Sequence, residues 1–152
     1  MIKVWDLPVR LFHWVLVAAI VSLFASAKLD HLPLHAALGE AVLALLLFRI
    51  LWGFVGSRTA RFSDFVRGPS GVAAYLKSGK SPTPGHNPLG GWMVVTMLAG
   101  LSLQAISGLM SNDDVDFEGP LAALHVGAVL FYWLVRKDNL ILPMITGRKV
   151  AD

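Results

Sequence analysis

The chain has 152 residues, 55% of them hydrophobic and only 15% charged, with a mean hydropathy of +0.63. A soluble domain carries about 25% charged residues, so this is the composition of an integral-membrane protein and not of an ordinary soluble enzyme. Cysteine is absent, which excludes disulfides, thiolate zinc and iron–sulfur sites, and covalent c-type haem attachment; the net charge of +3 comes with no nucleotide-binding fingerprint and calls for no nucleic-acid partner.

The first apolar run is Leu7–Ala27. It reads either as a secretory signal cleaved at Ala25-Ser26-Ala27 or as an uncleaved span. Trp5, Asp6 and Pro8 ahead of it, and its length, favour the span. Inside it lies His13, and an imidazole is costly in hydrocarbon. Either it sits at the headgroup boundary beside Trp14, or it binds something.

The second run, Leu34–Val55, is opened by His35. At about 100° per residue, His35, Gly39, Val42, Leu46, Arg49 and Gly53 share one face. His35 and Arg49 then stand about 21 Å apart on that face. Glycines there let a flat group or a neighbouring helix approach the backbone. An arginine at membrane depth needs an anionic partner, and Glu40, about 140° from His35, points away. His31 and His35 have the i, i+4 spacing of a helical metal pair, but Pro33 between them argues against a regular helix there.

The connection 56–90 carries Arg58, Arg61, Arg67, Lys77 and Lys80. Phe62, Phe65, Val66, Val72 and Tyr75, interrupted at Gly68-Pro69, read either as two short interfacial helices on anionic lipid or as a solvated linker. "GHNP", with His86, reads as a turn leading into the third run, Gly91–Met110. The fourth run, Leu121–Val135, holds His125, with Tyr132 seven residues on along the same face. The first three runs have the length that a hydrocarbon core of about 30 Å requires, whereas the fourth reaches only about 22 Å.

Basic residues cluster before the first run, between the second and third, and after the fourth, where Arg136, Lys137, Arg148 and Lys149 lie; "SNDDVDFEGP", between the third and fourth, holds four acids. The positive-inside rule then gives a single integral-membrane domain over 1–152: an all-α, transmembrane four-helix bundle with a short fourth span and cytoplasmic termini.

Histidines on three different spans, an apolar slot and an intramembrane arginine suit b-type haem, which needs axial imidazoles from facing helices and cations for its propionates. The candidate ligands are His13, His35 and His125, and Arg49 is the candidate propionate partner. Bis-imidazole ligation leaves no open position on iron and favours electron transfer over oxygen chemistry. Each histidine taken singly also reads as an interfacial or helix-start residue.

"VWDLPVRLFHW", "LLLFRILWGFVGSRTARFSDFVRGP", "GHNPLGGWMVV" and "NLILPMITGRK", in this order along nearly the whole chain, resemble the bacterial cytochrome b561 family, which includes the cytochrome b subunit of nickel–iron hydrogenases. The resemblance implies a four-helix cytochrome of the bacterial cytoplasmic membrane. It would hold haem b and move electrons between quinol and a redox partner such as a cytochrome c or a hydrogenase. His13, His35 and His125 match the family's ligand positions, His13 and His125 for the haem on the cytoplasmic side. The fourth helix departs from the family, because a further histidine usual near its outer start is absent. One haem is thus implied, and His35 lacks its expected partner for a second. Two other functions compete: a haem-free membrane scaffold or assembly subunit, and a quinol-oxidising enzyme in its own right, with His86, Asn87 and Arg49 at the cytoplasmic rim of a quinone pocket.

Overall fold

The computed structural model describes residues 2–81, 83, 85–110, 118–136 and 139–149. Helices dominate it: α1 (Leu7–Lys28), α2 (Leu32–Val55), α3 (Phe62–Phe65), α4 (Pro69–Ser78), α5 (Pro88–Met110), α6 (Glu118–Leu134) and α7 (Ile141–Thr146). Two short strands, β1 (Ile2–Lys3) and β2 (Arg148–Lys149), pair antiparallel with Ile2 opposite Lys149. The all-helical class expected from the sequence is observed. Helices α1, α2 and α5 are long and apolar enough to cross a membrane, and α6 is the shorter apolar helix. With 17 residues α6 rises about 25 Å, short of a hydrocarbon core of about 30 Å. Most of the acidic stretch before it, 111–117, lies outside the described residues, as does Lys137 among the cations used for orientation.

Local chemistry sets the helix boundaries. Asp6 caps α1, its Oδ1 accepting from the Val9 amide at 3.0 Å, with Pro8 in the first turn. This satisfies an amide that the helix itself leaves unpaired. The chain reverses through Asp30, at φ 53°, and the His31 amide donates to the Ser26 carbonyl at 2.9 Å. Pro33 falls in the first turn of α2 and His31 at its cap, so the proline opens a regular helix here and does not interrupt one, contrary to the sequence expectation. The connection 56–87 holds α3 and α4, broken at Gly68-Pro69. Their aromatic residues turn inward: Phe65 and Tyr75 are buried, and Phe62 packs on the core. This differs from a lipid-facing pair, because the end of the bundle offers these rings a protein surface to bury against.

Helix α1 packs on α2, α2 on α5, and α5 on α6. One core cluster comprises Leu16 and Leu23 of α1, Val42 and Leu46 of α2, and Leu98 and Leu101 of α5. Among the described residues α6 adds no buried side chain to it. The outward faces stay apolar, as at Val21, Leu51 and Leu103, which is what lipid contact requires. A second cluster, Val4, Trp5, Val9 and Ala60 with Trp52 and Met144 against it, closes the end formed by β1, β2, α7 and the 56–87 connection. We call this the lid end.

The predicted buried face of α2 is observed, with Val42, Leu46, Arg49 and Gly53 all buried. Gly53 serves the close approach of a neighbouring helix, the short α3: a methyl group added there would overlap the Phe62 ring. Gly53→Ala is therefore expected to displace Phe62 and destabilise the fold by about 1–3 kcal/mol, the range for overpacked sites. Thermal denaturation in detergent checks this, and an unchanged melting point would show that Phe62 does not lean on α2.

Candidate functional site

His13 on α1 and His125 on α6 face each other. Their ring centroids are 6.0 Å apart, with the planes at 54°. The edge of Trp14 meets the His13 ring at 5.1 Å. His13 Nδ1 is buried and has no hydrogen-bond partner among the described residues. Two imidazoles bound to one metal from opposite sides need centroids about 6 Å apart, from two metal–nitrogen bonds of about 2 Å and about 1 Å from each nitrogen to its ring centre. The observed separation meets that demand, and the orphaned nitrogen is a group whose burial is costly without a partner.

Arg49 is 3% exposed. Its Nη2 donates to the Ala60 carbonyl at 3.3 Å, and its guanidinium carbon stands 5.3 Å from the centroid of the Phe62 ring. Nη1 is buried without a partner among the described residues. The acid acting electrostatically on Arg49 is Asp6, while Glu40 is exposed on the other face of α2. The sequence reading did not find Asp6 as this partner, because 43 positions of chain separate the two residues and no helical period links them.

Asp6 is itself held by its surroundings. Trp52 Nε1 donates to Oδ2 at 3.0 Å, and Val9 to Oδ1. Burial pushes this carboxyl upward, and the hydrogen bonds from Ser57, Val9 and Trp52 outweigh it, so its pKa falls below the usual carboxylate value.

His86 enters the same neighbourhood. Trp5 Nε1 donates to its Nδ1 at 3.3 Å, and the Phe65 ring centroid stands 4.8 Å from its own. Burial, then the Arg49 charge, then His125 and His13 hold its pKa down at about 3. It therefore stays neutral at physiological pH. The turn-like "GHNP" conceals this, since nothing in the local sequence relates residue 86 to residue 5.

Tyr132, on the face of α6 that carries His125, meets Tyr75 of α4, hydroxyl to hydroxyl, at 3.0 Å; Arg136 Nη2 donates to the Gly79 carbonyl at 2.9 Å. These two contacts tie α4 to the last turns of α6. His35 lies elsewhere, its Nδ1 3.1 Å from the Leu23 carbonyl and 3.3 Å from Ser26 Oγ. A carbonyl acceptor there fixes the tautomer with hydrogen on Nδ1, as second-shell carbonyls do for ligating histidines. Of the sequence candidates, the structure thus groups His13, His125, Arg49 and His86 at the lid end. It leaves His35 against α1.

The family model of prokaryotic cytochrome b561 matches residues 4–123, ending two residues before His125. No curated protein and no solved structure matches the chain.

The lowered Asp6 pKa has a consequence for stability. A carboxyl depressed on folding contributes stability that is complete above its unfolded value of 3.8 and is lost as pH falls through the lower folded value. Detergent-solubilised protein is therefore expected to lose stability in that acid window. Asp6→Asn should remove this acid dependence while keeping the cap, and Asp6→Ala should cost about 1 kcal/mol at neutral pH and less in the acid window, where the wild type has lost the carboxylate's contribution. Identical pH–stability curves for wild type and Asp6→Asn would exclude the carboxylate from the effect.

Proposed function

Because the chain belongs to the prokaryotic cytochrome b561 family, we propose that His13 and His125 are the axial ligands of a b-type haem and that Arg49 Nη1 binds one of its propionates. Family membership makes the chain a bacterial membrane protein that holds haem b and transfers electrons. The observation that carries the ligand assignment is the opposed pair of imidazoles, 6.0 Å apart on α1 and α6. Further support comes from the helix that offers His125, which contributes nothing to the buried core among the described residues. It also comes from two buried polar atoms without protein partners, His13 Nδ1 and Arg49 Nη1.

When bound, b-type haem supplies a one-electron iron couple. The residues of the chain do the rest. His13 and His125 would fill both axial positions and so confine the site to electron transfer. Arg49 would neutralise a carboxylate that hydrocarbon cannot solvate. The buried core of α1, α2 and α5 keeps water from one side of the site, and α3 with α4 covers its end. We propose quinol as the electron donor or acceptor, met at a rim containing His86, Asn87 and Arg49, and a cytochrome c or hydrogenase-type protein as the redox partner. His35 would remain outside this site.

The lid end is proposed to be cytoplasmic, with the chain crossing four times. The loop cations support this orientation, and the pairing of residues 2–3 with 148–149 supports an even number of crossings. Reporters inserted in the 56–87 connection or fused after residue 149 are expected to read cytoplasmic, and one near residue 114 external. A C-terminal reporter on the outside would remove α6 as a span.

Purified protein is expected to show a Soret band and a reduced α band. His13→Ala or His125→Ala should each abolish the bis-histidine spectrum, and His35→Ala should leave it largely intact. Arg49→Ala should weaken haem retention or shift the midpoint potential. Haem lost in His35→Ala but kept in His13→Ala would reverse the ligand assignment, and protein without pigment would favour the scaffold reading.

A further inference from the structure

Trp5 is a bulky residue in a backbone conformation that costs it free energy. Its φ is 51°, in the left-handed region, which disfavours side chains by about 1–2 kcal/mol. Such a conformation persists only where the surroundings over-determine it. Those surroundings come from distant parts of the chain. The Trp5 amide donates to Thr59 Oγ1 at 3.0 Å, and the neighbouring Val4 amide to the Gly147 carbonyl at 2.9 Å.

Residues 139–149 are held in turn by α1. Arg10 Nε donates to the Met144 carbonyl at 3.1 Å and Nη2 to that of Ile145, which satisfies carbonyls left open at the end of α7. Gly147 follows at φ 73°, where a Cβ would stand 2.8 Å from Arg10 Nη1 and 3.3 Å from the Trp5 carbonyl oxygen. Beyond it, β2 pairs with β1. The indole positioned in this way is 3% exposed and donates to His86 Nδ1. The bond leaves the His86 hydrogen on Nε2. The His86 ring in turn lies 4.8 Å from that of Phe65, which packs on Phe62, the ring that lies against Arg49.

We propose that segment 139–149 is a latch, fastened by Arg10, that holds Trp5 against His86 and so keeps water out of the lid end of the His13–His125 site. Trp5 is a positioning residue, acting on the site through His86. Local stability differs from place to place in a protein, and a segment fastened by few contacts sets how often the surface beneath it opens. A haem site that opens to water loses potential, because water stabilises the more highly charged oxidised iron. The effect on potential rests on the haem assignment above; the protection of His86 does not.

The test uses the full chain in nanodiscs as wild type, Trp5→Phe, Arg10→Gln and the double variant. Trp5→Phe keeps a ring and removes the indole donor; Arg10→Gln unfastens the segment. One readout is the rate at which diethylpyrocarbonate modifies His86, followed by mass spectrometry on protein with or without haem. The other is the midpoint potential of bound haem. Each single variant should raise the modification rate about tenfold, as expected for a local opening made easier by roughly one contact, and should move the potential downward. The double variant should do no more than the larger single one, because both changes cut the same chain of contacts. If Arg10→Gln does not accumulate, Gly147→Ala attacks the latch from its other side. Effects that add in the double variant, or wild-type His86 reactivity in either single variant, would overturn the latch. Pigment-free protein that still showed non-additive protection of His86 would sink the haem assignment and leave the latch standing.

Discussion

The lid end is organised around one expensive group, a guanidinium that is 3% exposed on a helix made for hydrocarbon. A buried charge is tolerated only where other groups compensate it. The chain gives Arg49 a backbone carbonyl at Ala60, the face of Phe62 and the field of Asp6. Each of these requires another element to be in place. Ala60 and Phe62 need the connection after α2 to fold back. Asp6 must cap α1 at the same level, and it does so while accepting from Trp52 one turn beyond Arg49. Hydrogen bonding at the start of α1 and burial at the end of α2 are therefore one arrangement, within which Nη1 has no partner among the described residues.

Among the described residues, the polar contacts between distant parts of α1, α2, α4 and α6 lie mostly at this end. Trp5 with Thr59 and His86, Trp52 with Asp6, Tyr75 with Tyr132, Trp92 with the Arg67 carbonyl and Arg136 with Gly79 all lie there. At the far end of α1 and α2 the comparable contacts are those of His35 with Ser26 and Leu23. Within hydrocarbon, helices attract one another little more than they attract lipid tails, so packing alone specifies their arrangement weakly. The network at the lid end supplies that specification. It holds α6, which contributes no buried core residue among those described, in the position that brings His125 to His13.

The sequence carried the helices, because runs of apolar residues at membrane length admit few other structures. It also carried the buried face of α2, since one helical period links His35 to Gly53, and the depth that lets His13 meet His125. What it did not carry were relations without a period. Asp6 beside Arg49, Trp5 on His86 and Arg10 on the carbonyls of α7 join segments far apart in the chain through loops whose path no local propensity dictates. The connection 56–87 shows the same limit. Its aromatic residues read as short amphipathic helices or a solvated linker, yet whether they face lipid or protein depends on a bundle end that exists only once α1, α2 and α5 have packed.

The short α6 gives the two ends of the bundle different capacities. Its 17 residues rise about 25 Å, and the tyrosine pair with the Arg136 contact fixes its last turns at the lid end. A helix fixed there places its missing length at the opposite end, beside His35. The His35 ring is oriented by the Leu23 carbonyl and has no contact with His13 or His125 among the described residues. Sliding α6 outward to meet it would break the contacts with α4 and carry Arg136 into hydrocarbon, at a cost of about 2.5–3.5 kcal/mol for the charge alone. The same contacts that bring His125 to His13 thus keep it from His35, at the end where Arg49, Asp6 and His86 already lie.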